Sequence, residues 1–381
     1  MSLPVIIIGS GFGAYQLIKT IRRTDKNQEI TVFTLDEGHD YNKPDLSHVF
    51  SNQQSSADLI RMSGLAFSVE NNITLHAFTE VESIDTDKQE VCAKGVAYPY
   101  AKLVLATGAK TYIPSMQGNA IDDVITLNSL REFENAQLEL QSAQRILVIG
   151  AGLIGTEIAM DLASSGKSVV VVDPSKALMA NMLPDLIANA LQKKMVEAGI
   201  VFELGRTINS LNKTESAISA ILSSGDTHLV DCVISAAGLR ANIGLAKRSG
   251  LAVKNGLLVN QQLQTSANNV YALGDCAEIN GKVMAYLQPI LLSANALAKT
   301  LLDKPTDLKL PAMLVKVKTP RMPIQLGGDT VIDVASWQVD IDGQGCSVKA
   351  YNEKKEMVGF VVTEGHMKNA FPLLRLLPAN L

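Results

Sequence analysis

Two stretches of the chain repeat one pattern of apolar and polar positions. Each begins with a short, mostly apolar run, passes through a glycine-rich segment into apolar positions at helical spacing, and ends in a second apolar run. The paired runs are Val5–Ile8 with Ile30–Phe33, and Arg145–Ile149 with Ser168–Asp173. Apolar runs without polar alternation are typical of strands buried on both faces of a helix-covered parallel sheet. The pattern therefore predicts two β-α-β units in an α/β protein.

The turn between strand and helix has the same glycine spacing in both units. The first unit has Gly9, Ser10, Gly11, Phe12, Gly13 and Ala14, and the second has Gly150, Gly152, Leu153, Ile154 and Gly155. In such a turn the first glycine permits a tight bend, the second lets a pyrophosphate approach the backbone, and the third small residue lets helix and strand pack closely. The helix that follows offers free N–H groups and a partial positive charge to the phosphates. Two copies, each between a strand and a helix, predict two dinucleotide sites.

The two units differ at the position that contacts the ribose. Asp173 ends the second strand of the second unit, where a carboxylate accepts hydrogen bonds from a ribose 2′-OH and repels a 2′-phosphate. The three residues that follow it include no arginine, which favours NADH over NADPH, although Lys176 is among them. In the first unit Thr34 takes this position, and Asp36 and Glu37 are both candidates for the ribose contact.

Composition and charge restrict the possible partners. At roughly 100–200 residues per domain, the 381 residues predict two to four domains. The net charge of −4 and the lack of a long Lys/Arg block argue against nucleic acid. The five histidines are scattered, so no metal site is predicted. Neither a signal-peptide pattern nor an 18-residue apolar run is present, and we expect a cytoplasmic protein.

The cysteines are widely separated. They are Cys92, Cys232, Cys276 and Cys346. This spacing contains no C-x-x-C redox pair, zinc ribbon or rubredoxin-type iron site. It suits a protein of a reducing compartment.

The order of motifs resembles the FAD-dependent pyridine nucleotide-disulfide oxidoreductase superfamily over about residues 4–304. The segment 265–277, which contains Gly274 and Asp275, is similar to the second FAD signature of that superfamily. The turns 106–108 and 236–238 are similar to its two short strand-end motifs. The segments 41–48, 287–290 and 310–320 are similar to the rubredoxin–NAD reductase branch, above all to the flavorubredoxin reductases of bacterial nitric oxide reduction.

The resemblance implies a domain arrangement. It is a glutathione-reductase-like α/β fold with two tandem Rossmann-like dinucleotide-binding domains and a small α+β C-terminal domain. An FAD-binding domain would comprise residues 1–112 and 237–304, an NADH-binding domain residues 113–236, and a C-terminal domain near the flavin residues 305–381.

The resemblance also implies roles for individual residues. Asp275 would bond the flavin ribityl chain, and an ion pair of Lys43 with Glu157 would lie beside the flavin N5. The alternative for this pair is a helix-start glutamate favoured by the dipole and a lysine in water. Further cofactor contacts would be Pro44, Val81, Ala106, Thr107, Gly108, Ala237, Gly238, Gly274, Leu287 and Lys316.

The region that holds redox cysteines in related disulfide reductases, peroxidases and oxidases contains none here, between Lys43 and Ser51. Electrons from NADH would therefore leave the flavin for an external one-electron acceptor. By resemblance this is a free rubredoxin or the rubredoxin domain of a flavorubredoxin, in nitric oxide detoxification. A ferredoxin as acceptor, or a flavin-bearing NADH sensor, are the alternatives. The basic residues Lys309, Lys316, Lys318 and Arg321 form either a docking site for a small acidic carrier or a solvated face.

A first prediction concerns these thiols. Replacing all four cysteines with serine or alanine should leave electron transfer from NADH to the carrier largely intact, because no step uses a thiol. Steady-state reduction of the carrier measures this. Loss of transfer in a variant that still binds FAD would place a cysteine in the mechanism.

Overall fold

The computed structural model describes residues 3–379. The first glycine motif lies in a five-stranded parallel sheet. Its strands are, in spatial order, Val270–Ala272, Lys102–Leu105, Val5–Ile8, Ile30–Phe33 and Thr74–His76. The central strand is buried on both faces, because Val5 and Ile7 pack into one apolar cluster and Ile6 and Ile8 into another. One edge strand comes from a distant part of the chain, so this sheet is assembled from two separate segments.

The second glycine motif lies in a second five-stranded parallel sheet. Its strands are, in spatial order, Ile125–Thr126, Cys232–Ser235, Arg145–Ile149, Ser168–Asp173 and Val201–Leu204. Here too the central strand faces two clusters, with Ile146 and Val148 on one side and Leu147 and Ile149 on the other. The prediction of an α/β fold with two tandem Rossmann-like units is confirmed.

The described residues form eight α-helices. The helices are Phe12–Thr24, Gly64–Glu70, Leu130–Ser142, Leu153–Ser164, Asp185–Val196, Gly244–Arg248, Leu287–Leu301 and Ala370–Leu374. Phe12–Thr24 packs against Leu287–Leu301, although the two are far apart in sequence. Leu153–Ser164 packs against the strand Ser168–Asp173 and against the 3₁₀ turn Lys43–His48. This last contact brings a loop of the first unit onto a helix of the second.

Several smaller sheets are formed by the segments between the main strands. The three-stranded sheets are Val81–Asp85, Glu90–Ala93 and Val96–Pro99; Ile208–Lys213, Ile218–Leu222 and Thr227–Val230; and Leu257–Val259, Ala277–Ile279 and Lys282–Val283. The two-stranded pairs are Asp40–Tyr41 with Ile60–Met62, and Ala109–Thr111 with Leu239–Ala241. The second pair is antiparallel. It joins the segment where the chain leaves the first parallel sheet to the segment where the chain returns from the second.

The C-terminal part forms a five-stranded antiparallel sheet. Its strands are, in spatial order, Leu314–Val317, Ile324–Gly328, Met357–Thr363, Gly345–Tyr351 and Ser336–Asp342. One face of this sheet, with Ile324 and Val348, shares an apolar cluster with Ile158 of the second unit and Leu46 of the first. The opposite face packs under the helix Ala370–Leu374. A single core therefore fixes the C-terminal sheet against both dinucleotide units.

None of the helices within residues 3–379 is long and apolar enough to cross a membrane.

Candidate active site

A continuous cleft of about 2890 Å³ runs along the carboxyl ends of the two parallel sheets. This is where open α/β sheets bind ligands. The cleft is lined by every residue predicted to contact a cofactor, with the exception of Ala14 and Gly155. Ala14 is fully buried, and a Cβ at Gly155 would lie 1.9 Å from the oxygen of Gly150. Both were predicted to contact a cofactor, and their burial agrees with the other role expected of the third small residue of each turn, close packing of helix and strand.

The two glycine turns combine one tightly packed glycine with one that faces open space. Gly9 and Gly150 have φ values of +114° and +107°, and a Cβ on either would lie within 2.5 Å of a strand-end carbonyl, that of Ala106 or Ala236. By contrast, a Cβ on Gly11 would meet nothing within 4 Å, and the same holds for Gly152. Within residues 3–379, no side chain caps the helix that follows either turn. The free helix N–H groups are thus available to a pyrophosphate.

The part of the cleft beside the first glycine turn contains a buried acceptor without a partner among the described residues. Asp275 Oδ1 is buried and has no hydrogen-bond partner among the described residues, whereas Oδ2 lies 3.7 Å from Lys43 Nζ. A hydroxyl-bearing chain such as ribityl would satisfy this oxygen. The helix Leu287–Leu301 begins at the cleft, has Pro289 in its first turn, and presents its N-terminus to the same space. The residues present therefore fit FAD.

Thr34 explains how the first unit compensates for the missing strand-end acid. Its hydroxyl donates to Asp36 Oδ1 at 2.7 Å and lies 2.6 Å from Ser10 Oγ. Asp36 Oδ1 also accepts from the Gly38 N–H at 2.9 Å. Asp36 lines the cleft, whereas Glu37 lines a separate, small side pocket. This geometry favours Asp36 over Glu37 as the ribose contact of FAD.

Asp173 occupies the equivalent place in the second unit. Its Oδ2 accepts from the Ala151 N–H and its Oδ1 from the Ser175 N–H, each at 2.7 Å. Backbone groups on both sides of the carboxylate therefore fix its position at the edge of the cleft.

The expected ion pair of Lys43 with Glu157 is not among the ion pairs of the described residues, where Lys43 pairs with Asp275. Glu157 is 4% exposed and bonds other donors. Its Oε2 accepts from Ser47 Oγ at 3.0 Å, and its Oε1 accepts from the Lys318 N–H at 2.8 Å. Donors from the loop and from the C-terminal sheet thus bond both oxygens of Glu157, and the pairing of Lys43 with Glu157 beside the flavin stays a prediction.

Asp161 is a functional residue that the sequence analysis missed. It lies one helical turn after Glu157, is equally buried, and accepts from the Phe50 N–H at 2.8 Å and from Ser51 Oγ. Two carboxylates of the helix Leu153–Ser164 thus hold the segment that carries Lys43. The signal available in the sequence was a pair of acids spaced four residues apart on an otherwise apolar helix.

The basic residues of the segment 316–321 lie in two environments. Lys316 is exposed and lines the cleft, and Lys318 Nζ donates to the Pro44 oxygen at 3.2 Å. Arg321 is exposed in the hairpin turn that follows, outside the cleft lining. Arg131 and Arg206, which the sequence analysis did not single out, also line the cleft.

Neither thiols nor a metal site contributes to the cleft. No cysteine is among its described lining residues. Cys276 is completely buried and donates to the oxygens of Leu105 and Leu273 at 3.3 Å, and burial raises the pKa of its thiol. Groups of His, Cys, Asp and Glu able to hold a metal ion are absent from residues 3–379.

Comparison with known proteins agrees with this geometry. Residues 3–295 match the model of the pyridine nucleotide-disulphide oxidoreductases. The chain belongs to this family. Residues 307–377 match a second model, the rubredoxin binding C-terminal domain. The family uses FAD and NAD(H), which confirms the predicted cofactors.

Relatives match along the whole chain. The chain is 56% identical to the nitric oxide reductase FlRd-NAD(+) reductase of Aliivibrio fischeri, with 98% of each chain covered. It is 43% identical to the protein of the same name in Escherichia coli, over 99% of this chain and 100% of that one. Among solved structures, the putidaredoxin reductase–putidaredoxin complex has a TM-score of 0.88 at 22% identity, covering 99% of this chain and 94% of that chain. The last likeness shows a shared fold.

A second prediction concerns Glu157. Glu157→Ala leaves the Lys318 N–H without its acceptor and removes the charge-assisted bond of Ser47 Oγ, whose remaining acceptor is the Pro44 oxygen at 3.1 Å, so the free energy of unfolding should fall by about 2 kcal/mol. Glu157→Gln keeps one acceptor oxygen and should lose less. Urea denaturation of the holoprotein measures both, with Glu134→Ala, an exposed acid on the helix Leu130–Ser142, as the matched control. A Glu157→Ala protein as stable as the wild type would contradict the bonding described here.

Proposed function

We propose that the protein is an NADH-dependent FAD reductase that passes single electrons to a rubredoxin-type iron centre, that of a flavorubredoxin in nitric oxide detoxification. The observation that carries the proposal is the C-terminal domain. It matches the rubredoxin-binding model, and its first strand brings Lys316 to the cleft that fits FAD. The names of the relatives support the same reaction.

FAD supplies the chemistry that links a two-electron donor to a one-electron acceptor. The chain positions and tunes it. Lys43, 3.7 Å from Asp275, places a positive charge at the site, and the N-terminus of the helix Leu287–Leu301 adds a second favourable interaction with negative charge. Glu157 and Asp161 hold the loop that carries Lys43 in position.

The surroundings of the cleft favour an external acceptor. The described lining of the cleft has no cysteine, so no disulfide relay takes electrons onward. The residues around the start of the helix Leu287–Leu301 are apolar and exposed, namely Tyr286, Leu287 and Leu291. Lys316 lines the same cleft as Tyr286 and Leu287, and Arg321 lies in the turn that follows its strand. We propose that these five residues form a docking face. An apolar centre with a basic rim suits a small acidic carrier.

Domain limits and cellular location complete the proposal. We propose an FAD-binding domain of residues 1–112 and 237–304, an NADH-binding domain of residues 113–236, and a C-terminal domain from residue 305 onward. The assembly of the first sheet from two separate segments supports the discontinuous FAD domain. A cytoplasmic location agrees with four cysteines that form no disulfide.

A third prediction tests the docking face. Arg321→Glu should slow reduction of the carrier about tenfold at low salt, because it reverses one charge on the rim. The wild-type rate should fall as ionic strength rises beyond about 0.15 M, where the Debye length is about 8 Å. Stopped-flow absorbance of the carrier measures the rates. Lys318 is not altered, because its side chain bonds the loop beside Lys43.

Lys354→Glu provides the matched control. Lys354 is exposed on the hairpin between Gly345–Tyr351 and Met357–Thr363, so the same charge change is made on the same domain away from the docking face. This variant should reduce the carrier at the wild-type rate. If Arg321→Glu and Lys354→Glu behave alike, docking does not use this face.

A further inference from the structure

A cluster of charged side chains lies at the ribose end of the NADH half of the cleft. Arg206 follows the strand Val201–Leu204 and lines the cleft together with Asp173. Its backbone N–H donates to the backbone carbonyl oxygen of Asp173 at 3.1 Å. The backbone of an arginine thus lies beside that of the aspartate predicted to contact the ribose 2′-OH, and both residues line the cleft although they are well separated in sequence.

Two carboxylates share the guanidinium of Arg206. Its Nη1 donates to Glu203 Oε2 and, at 2.7 Å, to Asp226 Oδ2. The other oxygen of Glu203 lies 3.0 Å from His228 Nε2, which fixes the orientation of the carboxylate. The Glu203 side chain is 14% exposed, that of Arg206 37% and that of Asp226 56%. We call these four residues the Arg206 cluster.

An arginine beside the ribose is the feature that accommodates the 2′-phosphate of NADPH in dinucleotide folds. Here the positive charge of Arg206 is already offset by neighbouring carboxylates. Glu203 and Asp226 both pair with this one guanidinium, so carboxylates outnumber the arginine, and Asp173 lines the same part of the cleft. A 2′-phosphate entering this site would meet net repulsion despite the arginine.

We propose that Glu203 and Asp226 determine coenzyme specificity: they engage Arg206 and so prevent it from binding a 2′-phosphate. Selectivity for NADH then rests on two elements. Asp173 excludes the phosphate directly, and the two acids withhold the arginine that would attract it. The proposal rests on NADH use by the family and is independent of which carrier the enzyme reduces.

The test is the binding of a probe that carries only the adenosine end of the coenzyme. In the holoenzyme, the double variant Glu203→Gln, Asp226→Asn should raise the affinity for adenosine 2′,5′-bisphosphate relative to AMP about tenfold over the wild type, since one charge-assisted contact contributes this much. Isothermal titration calorimetry measures both affinities. The ratio of kcat/KM for NADPH to that for NADH should rise in parallel.

Two further variants decide the cause. Adding Arg206→Gln to the double variant should abolish the gain, because the proposed phosphate ligand is then gone. Asp123→Asn, which removes an acid paired with Lys213 at 2.7 Å elsewhere in the same half of the protein, should leave the ratio as in the wild type. If the double variant does not fold, Asp226→Asn alone should raise the ratio of the two probe affinities about threefold. The effect is smaller than in the double variant because Glu203 is retained and Asp226 is the more exposed of the two acids.

An unchanged affinity ratio in the folded double variant, or an unchanged ratio in Asp226→Asn where only that variant folds, would overturn the proposal. So would a gain that persists without Arg206, or an equal gain in Asp123→Asn. Because binding of the probe requires no electron transfer, these results are separable from failure of the proposed reductase function.

Discussion

The buried carboxylate of Glu157 connects all three parts of the molecule. It belongs to the helix that starts at the second glycine motif, accepts from Ser47 in the loop of the first unit, and accepts from the backbone of Lys318 in the C-terminal sheet. A buried carboxylate is costly unless donors surround it, so the three parts are held in one relative arrangement. Asp161 repeats the contact one turn later. The position of Lys43 in the cleft depends on these bonds.

This arrangement is suited to moving electrons out of the protein. The cleft spans the ends of both parallel sheets, so the two dinucleotides of the family would meet within it. The apolar cluster that includes Leu46, Ile158 and Val348 fixes the C-terminal sheet against the same helix and loop. The proposed docking face is therefore a rigid extension of the cofactor site. A rigid, short path from flavin to surface is what an external acceptor needs.

Local features of the sequence predicted the fold and most of the cleft. The glycine turns and the apolar strands depend on neighbours in the chain, whereas contacts such as Pro44, Val81 and Lys316 were implied by the family resemblance. All but Ala14 and Gly155 of the residues predicted to contact cofactors line the cleft. Pairings between distant residues could not be obtained in this way. The resemblance implied a pair of Lys43 with Glu157 beside the flavin, whereas the contact of Lys43 with Asp275 was not foreseen. The choice between Asp36 and Glu37 depended on the direction of side chains around Thr34. Arg206 approaches Asp173 only through the pairing of neighbouring strands.

Transfer of electrons to a rubredoxin centre tests the account most directly. The protein is reduced with NADH without oxygen and mixed with the oxidised rubredoxin domain of a flavorubredoxin, and the visible absorbance of the iron centre is followed. The account predicts rapid bleaching that requires both the protein and NADH. It also predicts much slower bleaching when a ferredoxin of similar charge replaces the rubredoxin domain. Bleaching no faster than with NADH alone, or equal rates with the two carriers, would contradict it.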